Sequence, residues 1–458
     1  DPVAPYFLIN DPVQQYLMRT GRTFFKGLPP NAVRRLQLDI ETYTEPGYEF
    51  SNAERESDRI LAIGLADNTG WDMVLSATEL AEAEMLEQFV ALVRERDPDI
   101  IEGHNLFSFD LPYLAERARR HGVSLRLGRD GSPPAQRSGR FVVGERILNY
   151  PRFDIVGRSI VDTYFLVQLY DLSDRSLPGF GLKEAARHFG LAVEDRVYLE
   201  GAEIAEQWRR DPERVLAYLR DDVRETRALA DLLTPVYHAQ AQILPFAFQD
   251  VCLRGNAAKI DALMIREYLR RQHALPKPQP ARPFEGGYTD IFFTGVARPV
   301  HHADVRSLYP SIMLADRIAP RSDELGVFLE MLERLREFRL DARRRAREAS
   351  GADAVHLNAL QSTFKILINS FYGYLGFAMA RFNDFDAAER IAARGREILR
   401  RLIDAITAQG GKPIEIDTDG VYFVPPPGLS GEAMEAFRTA VCAALPPGIE
   451  LELSLIHI

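Results

Sequence analysis

Asp304-Val-Arg-Ser-Leu-Tyr309-Pro-Ser311 and, much later, Asp417-Thr-Asp419-Gly420 are the stretches whose reading decides the fold. Between them stands Lys365-Ile-Leu-Ile-Asn369-Ser-Phe-Tyr372-Gly373. The run from Val296 to Ala303 predicts a strand that delivers Asp304 at its end, with Tyr309-Pro310 turning the chain away. Pro413–Ile416 and Val421–Val424 are apolar runs flanking Asp-Gly, which predicts a β-hairpin with Asp417 and Asp419 projecting to one side. Asp304 and Asp419, brought together, offer the oxygen ligands that Mg²⁺ prefers and can hold two ions about 3.5–4 Å apart. In a helix predicted over Asn358–Tyr374, the residues Gln361, Lys365, Asn369 and Tyr372 share one face. A lysine there can meet triphosphate oxygens as a compact charge. The chain has 50 arginines and only 6 lysines, which gives a lysine at this position added weight. Glu330–Glu348 predicts an arginine-rich helix with Arg339 and Arg343 one turn apart; alone it reads as a solvated face, beside the lysine helix as a second cationic wall. Carboxylates, cations and an aromatic wall are the parts that bind a nucleoside triphosphate and support in-line displacement at phosphorus.

A second constellation lies upstream. Leu36-Gln-Leu-Asp39-Ile-Glu41 alternates as a half-buried strand does, with Leu36, Leu38 and Ile40 on the core face and Asp39 and Glu41 on the other. An exposed edge strand explains that pair equally well. Gly103-His-Asn105-Leu-Phe-Ser-Phe109-Asp110 marks a strand giving way to a helix, where Asp110 can also be a helix cap. In the helix predicted from Pro212 to about Leu233, Tyr218 and Asp222 are four residues apart and share a face, while Asp221 points away.

The order Asp-x-x-Ser-Leu-Tyr-Pro-Ser, Lys-x-x-x-Asn-Ser-x-Tyr-Gly, Asp-Thr-Asp resembles the A, B and C motifs of family B DNA polymerases. The resemblance implies that Asp304 and Asp419 are metal ligands with the Val305 carbonyl assisting, and that Asp417 is a supporting catalytic carboxylate. Tyr309 would be the steric gate beneath the sugar. Lys365, Asn369, Arg339 and Arg343 would line the triphosphate, with Ser307 and Leu308 also in the nucleotide site and Tyr372 near the nascent base pair. Gly420 departs from the serine common at its position, and the Asp-Gly turn explains that departure as tolerated. The upstream pieces resemble the 3′–5′ proofreading exonuclease of the same enzymes. Asp39, Glu41, Asp110 and Asp222 would then hold two metals and Tyr218 would orient the attacking water. Asp162 would be structural support. The implied cofactor is Mg²⁺, two ions per site, with Mn²⁺ as the alternative. The implied partners are primer–template DNA, dNTPs and a sliding clamp reached through C-terminal segments beyond this chain.

The expected architecture is α/β and α+β in several domains: a ribonuclease H-like exonuclease, then an antiparallel polymerase palm with helical fingers, the thumb missing. Residues 1–30 would be a remnant of an N-terminal domain, 31–235 the exonuclease, and 236–283 a helical connector ending in a linker with four prolines from Pro276 to Pro283. Palm would follow at 284–319, fingers at 320–385 and palm again at 386–452. Within the exonuclease, Arg126–Arg140 reads as a loop or hairpin. Glu285-Gly-Gly-Tyr288 reads either as a plain turn or as the family's template-side element.

The 458 residues and 46% apolar content suffice for a core in each domain. The net charge of −10 argues against a protein that simply coats nucleic acid. Cys252 and Cys442 give neither a disulfide framework nor metal spacing, and His301-His302 suggests strand packing. With no long apolar run and no signal peptide, the expected location is cytoplasmic, at the nucleoid, without a membrane. The arginine bias suggests a GC-rich, prokaryotic genome. The chain starts without methionine and stops soon after Asp419, which suggests truncation at both ends; Leu453–Ile458, back-translatable into a library adaptor, suggests a non-native tail after about Glu452. Two other functional classes stand beside the polymerase: a 3′–5′ exonuclease with an inactive polymerase half, and a DNA-binding scaffold. The retained Asp304, Asp419 and Lys365 argue against both. Only 61 positions separate Asp304 from Lys365, which favours a nucleic-acid primer over a protein primer.

Overall fold

The alternating stretch around Asp39 forms the strand Arg35–Thr42, the centre of a five-stranded sheet. The computed structural model describes residues 8–144, 146–428 and 431–456. The chain divides into two units: Arg22–Gly255, and Asn256–Ile458 with Asp1–Gly21. In the first unit the sheet order is Asp72–Ser76, Ile60–Asp67, Arg35–Thr42, Ile100–Gly103, Ser159–Asp162. The first three strands are antiparallel, and the last two run parallel to the central one. Leu36, Leu38 and Ile40 pack into a core with Met85 and Phe89 of the helix Glu82–Arg96 and Leu111 and Leu114 of the helix Asp110–His121.

The expectation of a half-buried strand fails on the opposite face, which is covered too. The helix Pro212–Ala241 lies against the sheet there, with Val215, Leu219 and Val223 packed on Leu61, Ala62 and Ala66. Gly64 permits this approach, since a Cβ on it would stand 2.8 Å from Leu219 Cγ and from Val223 Cγ2. The helix also runs past the expected end near Leu233, continuing through Pro235 because its last turns, including His238, Ala239 and Ala241, are buried. Packing there outweighs the hydrogen bond that proline removes. The excursion after Arg126 is a two-stranded hairpin, Ala135–Val143 with Arg146–Asp154.

The second unit is built on an antiparallel sheet in the order Leu451–Ile456, Val300–Val305, Gly420–Val424, Lys412–Asp417, Thr289–Ile291. The strand bearing Asp304 starts at Val300 rather than Val296. Pro299 has no N–H to give a ladder, and Val296 is exposed. Residues expected to form a tail continue the edge strand, with Leu453 opposite Ala303 and Ile456 opposite Val300. His457 and Ile458 lie outside the described residues, as do residues 1–7. The lysine helix spans Gly351–Leu375 and packs on the arginine-rich helix Val327–Glu348. A third long helix, Phe385–Ala408, buries Ala388, Ile391, Ala392, Gly395, Ile398, Leu399 and Leu402 at three- and four-residue intervals. Asp384 caps it by accepting from the Ala387 N–H.

Candidate active sites

In the first unit the central strand and the long helix bring three predicted residues together. Ligand oxygens of Asp39, Glu41 and Asp222 lie within 4.8 Å of one another. Asp110, the first residue of its helix, is buried beside them and accepts from the Ile40 N–H at 3.2 Å, so it is more than a cap. Burial and then the charges of Asp110, Asp222 and Glu41 hold Asp39 well above the usual carboxylate range, against the pull of Lys183. Glu41 is raised by burial and by Asp222. Asp222 is raised by burial, opposed by Arg196. Such a cluster of desolvated like charges is unfavourable by itself and becomes favourable around a divalent cation. All donors are carboxylate oxygens, the set that suits Mg²⁺ or Mn²⁺.

Tyr218 stands one helical turn before Asp222 and points its hydroxyl at Lys183, whose ammonium donates to it and to the Leu199 carbonyl at 3.0 Å. Asp162 stays behind the cluster. It accepts from the backbone N–H groups of Asn105 at 2.8 Å and Phe107 at 3.0 Å, and burial pushes it up to about 6. Asp221 likewise binds backbone, accepting from the Val197 N–H at 3.1 Å.

Sequence reasoning missed two cations here. Lys183 opens the helix Leu182–His188, and Arg196 lies in an irregular segment. Arg196 is almost wholly enclosed and pairs with both Asp222 and Glu225. No local pattern in one sequence marks either residue, because only the tertiary fold returns them to Asp222.

In the second unit the hairpin forms as expected but its centre is shifted. Asp417 pairs with Gly420, so the turn residues are Thr418 and Asp419, with Thr418 at φ 50°. Gly420 belongs to the strand and faces Asp304 across the ladder. Its lack of a side chain has a steric reason rather than a turn reason: a Cβ there would lie 2.2 Å from His302 Nε2. His302 is stacked on Tyr422 with ring centroids 4.3 Å apart, and His301 packs on Phe423, so both histidines are strand packing.

The Asp419 carbonyl accepts from the Val305 N–H at 2.9 Å, locking the turn to the strand that carries Asp304. Partial desolvation, followed by Asp304 and Asp417, raises the Asp419 carboxyl to about 6. The charges of Asp304 and Asp417 thus reach Asp419, although among the described residues only Asp39, Glu41 and Asp222 bring their ligand oxygens to metal-binding spacing. After Val305 the chain passes through Ser307 in the left-handed region, at φ 47°, and Leu308 begins the helix Leu308–Ala315 as a buried anchor. This bend presents Tyr309, which stacks on Tyr372 with centroids 4.0 Å apart and planes 22° apart. Burial, then the neighbouring Tyr372 and Asp419, pushes the Tyr309 hydroxyl up to about 12.

Lys365 and Asn369 lie on the exposed face of their helix. Arg339 is held below its usual value by burial and by the like charges of Arg343 and Arg306. Among the described residues, Lys365, Arg339 and Arg343 form no ion pair, whereas the neighbouring Arg344 and Arg345 are paired with Asp341. Unpaired cations are available to an anionic ligand.

Comparison with known proteins agrees with both units. Residues 21–178 match the family model for the exonuclease domain of DNA polymerase family B, and residues 316–422 match the model for DNA polymerase family B. A DNA polymerase of Archaeoglobus fulgidus is 30% identical over 88% of this chain and 52% of its own length. One from Pyrococcus glycovorans is 29% identical over 93% of this chain and 59% of its own. The solved structure of the family B DNA polymerase from Pyrobaculum calidifontis superposes with a TM-score of 0.76 at 25% identity, over 96% of this chain and 62% of that one. A mixed α/β exonuclease unit followed by a polymerase unit is the class that fold and sites define. The chain belongs to DNA polymerase family B. It spans just over half the length of these curated relatives. Among the described residues no helix is long and apolar enough to cross a membrane.

Proposed function

We propose that this chain carries both chemical centres of a template-directed DNA polymerase, synthesis in the second unit and 3′–5′ proofreading in the first. The observation that carries the reading is the carboxylate group of the first unit, together with the aspartates gathered at the turn of the second. In the first unit ligand oxygens of Asp39, Glu41 and Asp222 stand within 4.8 Å of one another with Asp110 beside them; in the second, the charges of Asp304 and Asp417 reach Asp419 near the stacked pair Tyr309 and Tyr372. The domain limits proposed are those expected from the sequence, with the exonuclease at 31–235 and palm and fingers over 284–452. Primer–template DNA and dNTPs are the proposed substrates, a sliding clamp is a proposed partner, and the nucleoid is the proposed site of action.

When bound, Mg²⁺ at each centre, two ions with Mn²⁺ as the alternative, supplies charge neutralisation and activates the attacking oxygen. In the second unit Asp304 and Asp419, with the Val305 carbonyl, would hold the metals, and Asp417 would keep the turn negative. Lys365, Arg339, Arg343 and Asn369 would bind the triphosphate, and Ser307 and Leu308 would shape the bend beneath it. Tyr309 would exclude a 2′-hydroxyl and Tyr372 would back it against the base pair. In the first unit Asp39, Glu41, Asp110 and Asp222 would hold the metals. The Tyr218 hydroxyl, oriented by Lys183, would position the attacking water. A frayed 3′ end suits that site, because no pairing or stacking has to be broken.

The test is primer extension and degradation with Mg²⁺ using two variants. Asp304→Ala is expected to abolish extension and spare degradation, and Asp39→Ala to do the reverse. Loss of both activities in either folded variant would contradict two independent centres.

A further inference from the structure

Tyr309 is enclosed by two glycines whose absence of side chain has no conformational reason. Neither Gly287 nor Gly395 lies at positive φ. Gly395 stands in the interior of the helix Phe385–Ala408, where glycine weakens a helix. Space explains both. A Cβ on Gly287 would stand 2.8 Å from the Tyr309 hydroxyl and 3.3 Å from Thr418 Cγ2. A Cβ on Gly395 would stand 3.2 Å from Tyr309 Cε1 and 3.5 Å from Leu308 Cδ2. With Tyr372 stacked on the ring, Tyr309 is bounded at its hydroxyl, its edge and one face.

The strap carrying Gly287 is anchored at both ends. Arg396, next to Gly395, donates to the carbonyls of Glu285 at 3.2 Å and Gly286 at 2.6 Å, and pairs with the Glu285 carboxylate at 3.0 Å. Its side chain is only 11% exposed, so the guanidinium is committed to this contact and is not a free surface charge. At the other end the Tyr288 carbonyl accepts from the Thr418 N–H at 3.1 Å. Thr418 sits between Asp417 and Asp419. The strap therefore connects the seat of Tyr309 directly to the carboxylate turn.

We propose that Gly287, Gly395 and Arg396 form a seat that fixes Tyr309 relative to the carboxylates, and that this seat sets how strictly the site rejects ribonucleotides. The inference rests on the polymerase reading and deepens it. These are positioning residues: they act through Tyr309. Because Tyr372 blocks one face, a methyl group at 287 displaces the ring along a defined direction rather than being absorbed.

The experiment compares rNTP and dNTP incorporation, as a ratio of kcat/KM, in the whole protein with Mg²⁺. Gly287→Ala is expected to change that ratio by at least about fivefold, the lower end of what overpacking does to a rigid contact. Adding Tyr309→Phe removes the oxygen that the methyl group meets, and is expected to return the ratio to within about twofold of Tyr309→Phe alone. Arg396→Lys, which keeps the charge but loses the fork that holds the two carbonyls through Nη1 and the Glu285 carboxylate through Nη2, is expected to shift the ratio while single-strand degradation stays normal. An unchanged ratio in Gly287→Ala and Arg396→Lys, with extension still dependent on Asp304, overturns the seat alone. Extension that survives Asp304→Ala overturns the polymerase reading instead. If the unmodified protein extends no primer, the same cycle is read in Mg²⁺-dNTP against Mg²⁺-rNTP binding, where unchanged selectivity again overturns the seat.

Discussion

Replacing Gly420 with alanine places a methyl carbon 2.2 Å from His302 Nε2, 3.0 Å from Cε1 and 3.2 Å from Cδ2. Non-bonded carbon contacts settle near about 3.5–4.0 Å, so the imidazole must retreat by more than an ångström. Its retreat is opposed on two sides. The ring is stacked on Tyr422, an arrangement worth about 0.5–1.5 kcal/mol. The strand Val300–Val305 is paired along both edges, so its backbone cannot spread without breaking ladder hydrogen bonds. Overpacking of this kind costs about 1–3 kcal/mol. Gly420→Ala is therefore expected to destabilise the second unit by about 2 kcal/mol, whereas in a His302→Ala background it costs under about 0.5 kcal/mol. Hydrogen exchange of the amides in 300–305 and 420–424, measured for the parent, both single variants and the double variant, gives the opening free energies for this cycle. An equal cost in both backgrounds would refute the claim that His302 excludes a side chain at 420.

Three further expectations are independent of that pair. Tyr309→Ala should admit ribonucleotides, and unchanged sugar discrimination would count against the gate assignment. Trp71 and Trp208 both lie in the first unit, so tryptophan fluorescence follows its unfolding. In metal-free protein Asp39→Asn should raise that unit's Tm by a few degrees, roughly 1 kcal/mol of relieved repulsion, while added Mg²⁺ stabilises the unmodified protein more than the variant; a lower metal-free Tm would refute the buried-charge argument. His104 is held at about 4 by burial, with its Nε2 on the Phe180 carbonyl at 2.9 Å. Its folded value lies below the unfolded one of about 6.5, so the unfolded chain binds more protons between the two. His104 should therefore subtract stability from the first unit as pH falls from about 6.5 towards 4, opposing the raised carboxylates of that unit, which add it. His104→Gln should gain stability relative to the parent over that window, and an identical pH dependence in the variant would remove His104 as a contributor.

Both sites were legible in outline because their carboxylates sit in short local patterns. Asp39 and Glu41 are two apart on a strand, and Tyr218 and Asp222 are four apart on a helix, so secondary-structure periodicity alone puts each pair on one face. The hairpin between Asp417 and Gly420 was legible from its flanking apolar runs. Its centre was not, since Asp-Gly favours one turn position while the ladder opposite Asp304 imposes another. The strand before Asp304 was read four residues too long because an apolar pattern does not register the donor that Pro299 lacks.

The sequence by itself supplied the candidate metal-binding residues, the order of the motifs and the resemblance to DNA polymerase family B that the comparisons bear out, because these depend on residues near one another along the chain. The tertiary structure alone decided what surrounds them. Lys183 and Arg196 reach Tyr218 and Asp222 from segments that carry no local signal. Arg396 and Gly287 lie more than a hundred residues apart, yet they meet around Tyr309. Gly420 is glycine because of a histidine on the neighbouring strand. Burial, ion pairing and steric exclusion are properties of distance in space, and a periodic pattern in one dimension does not encode them.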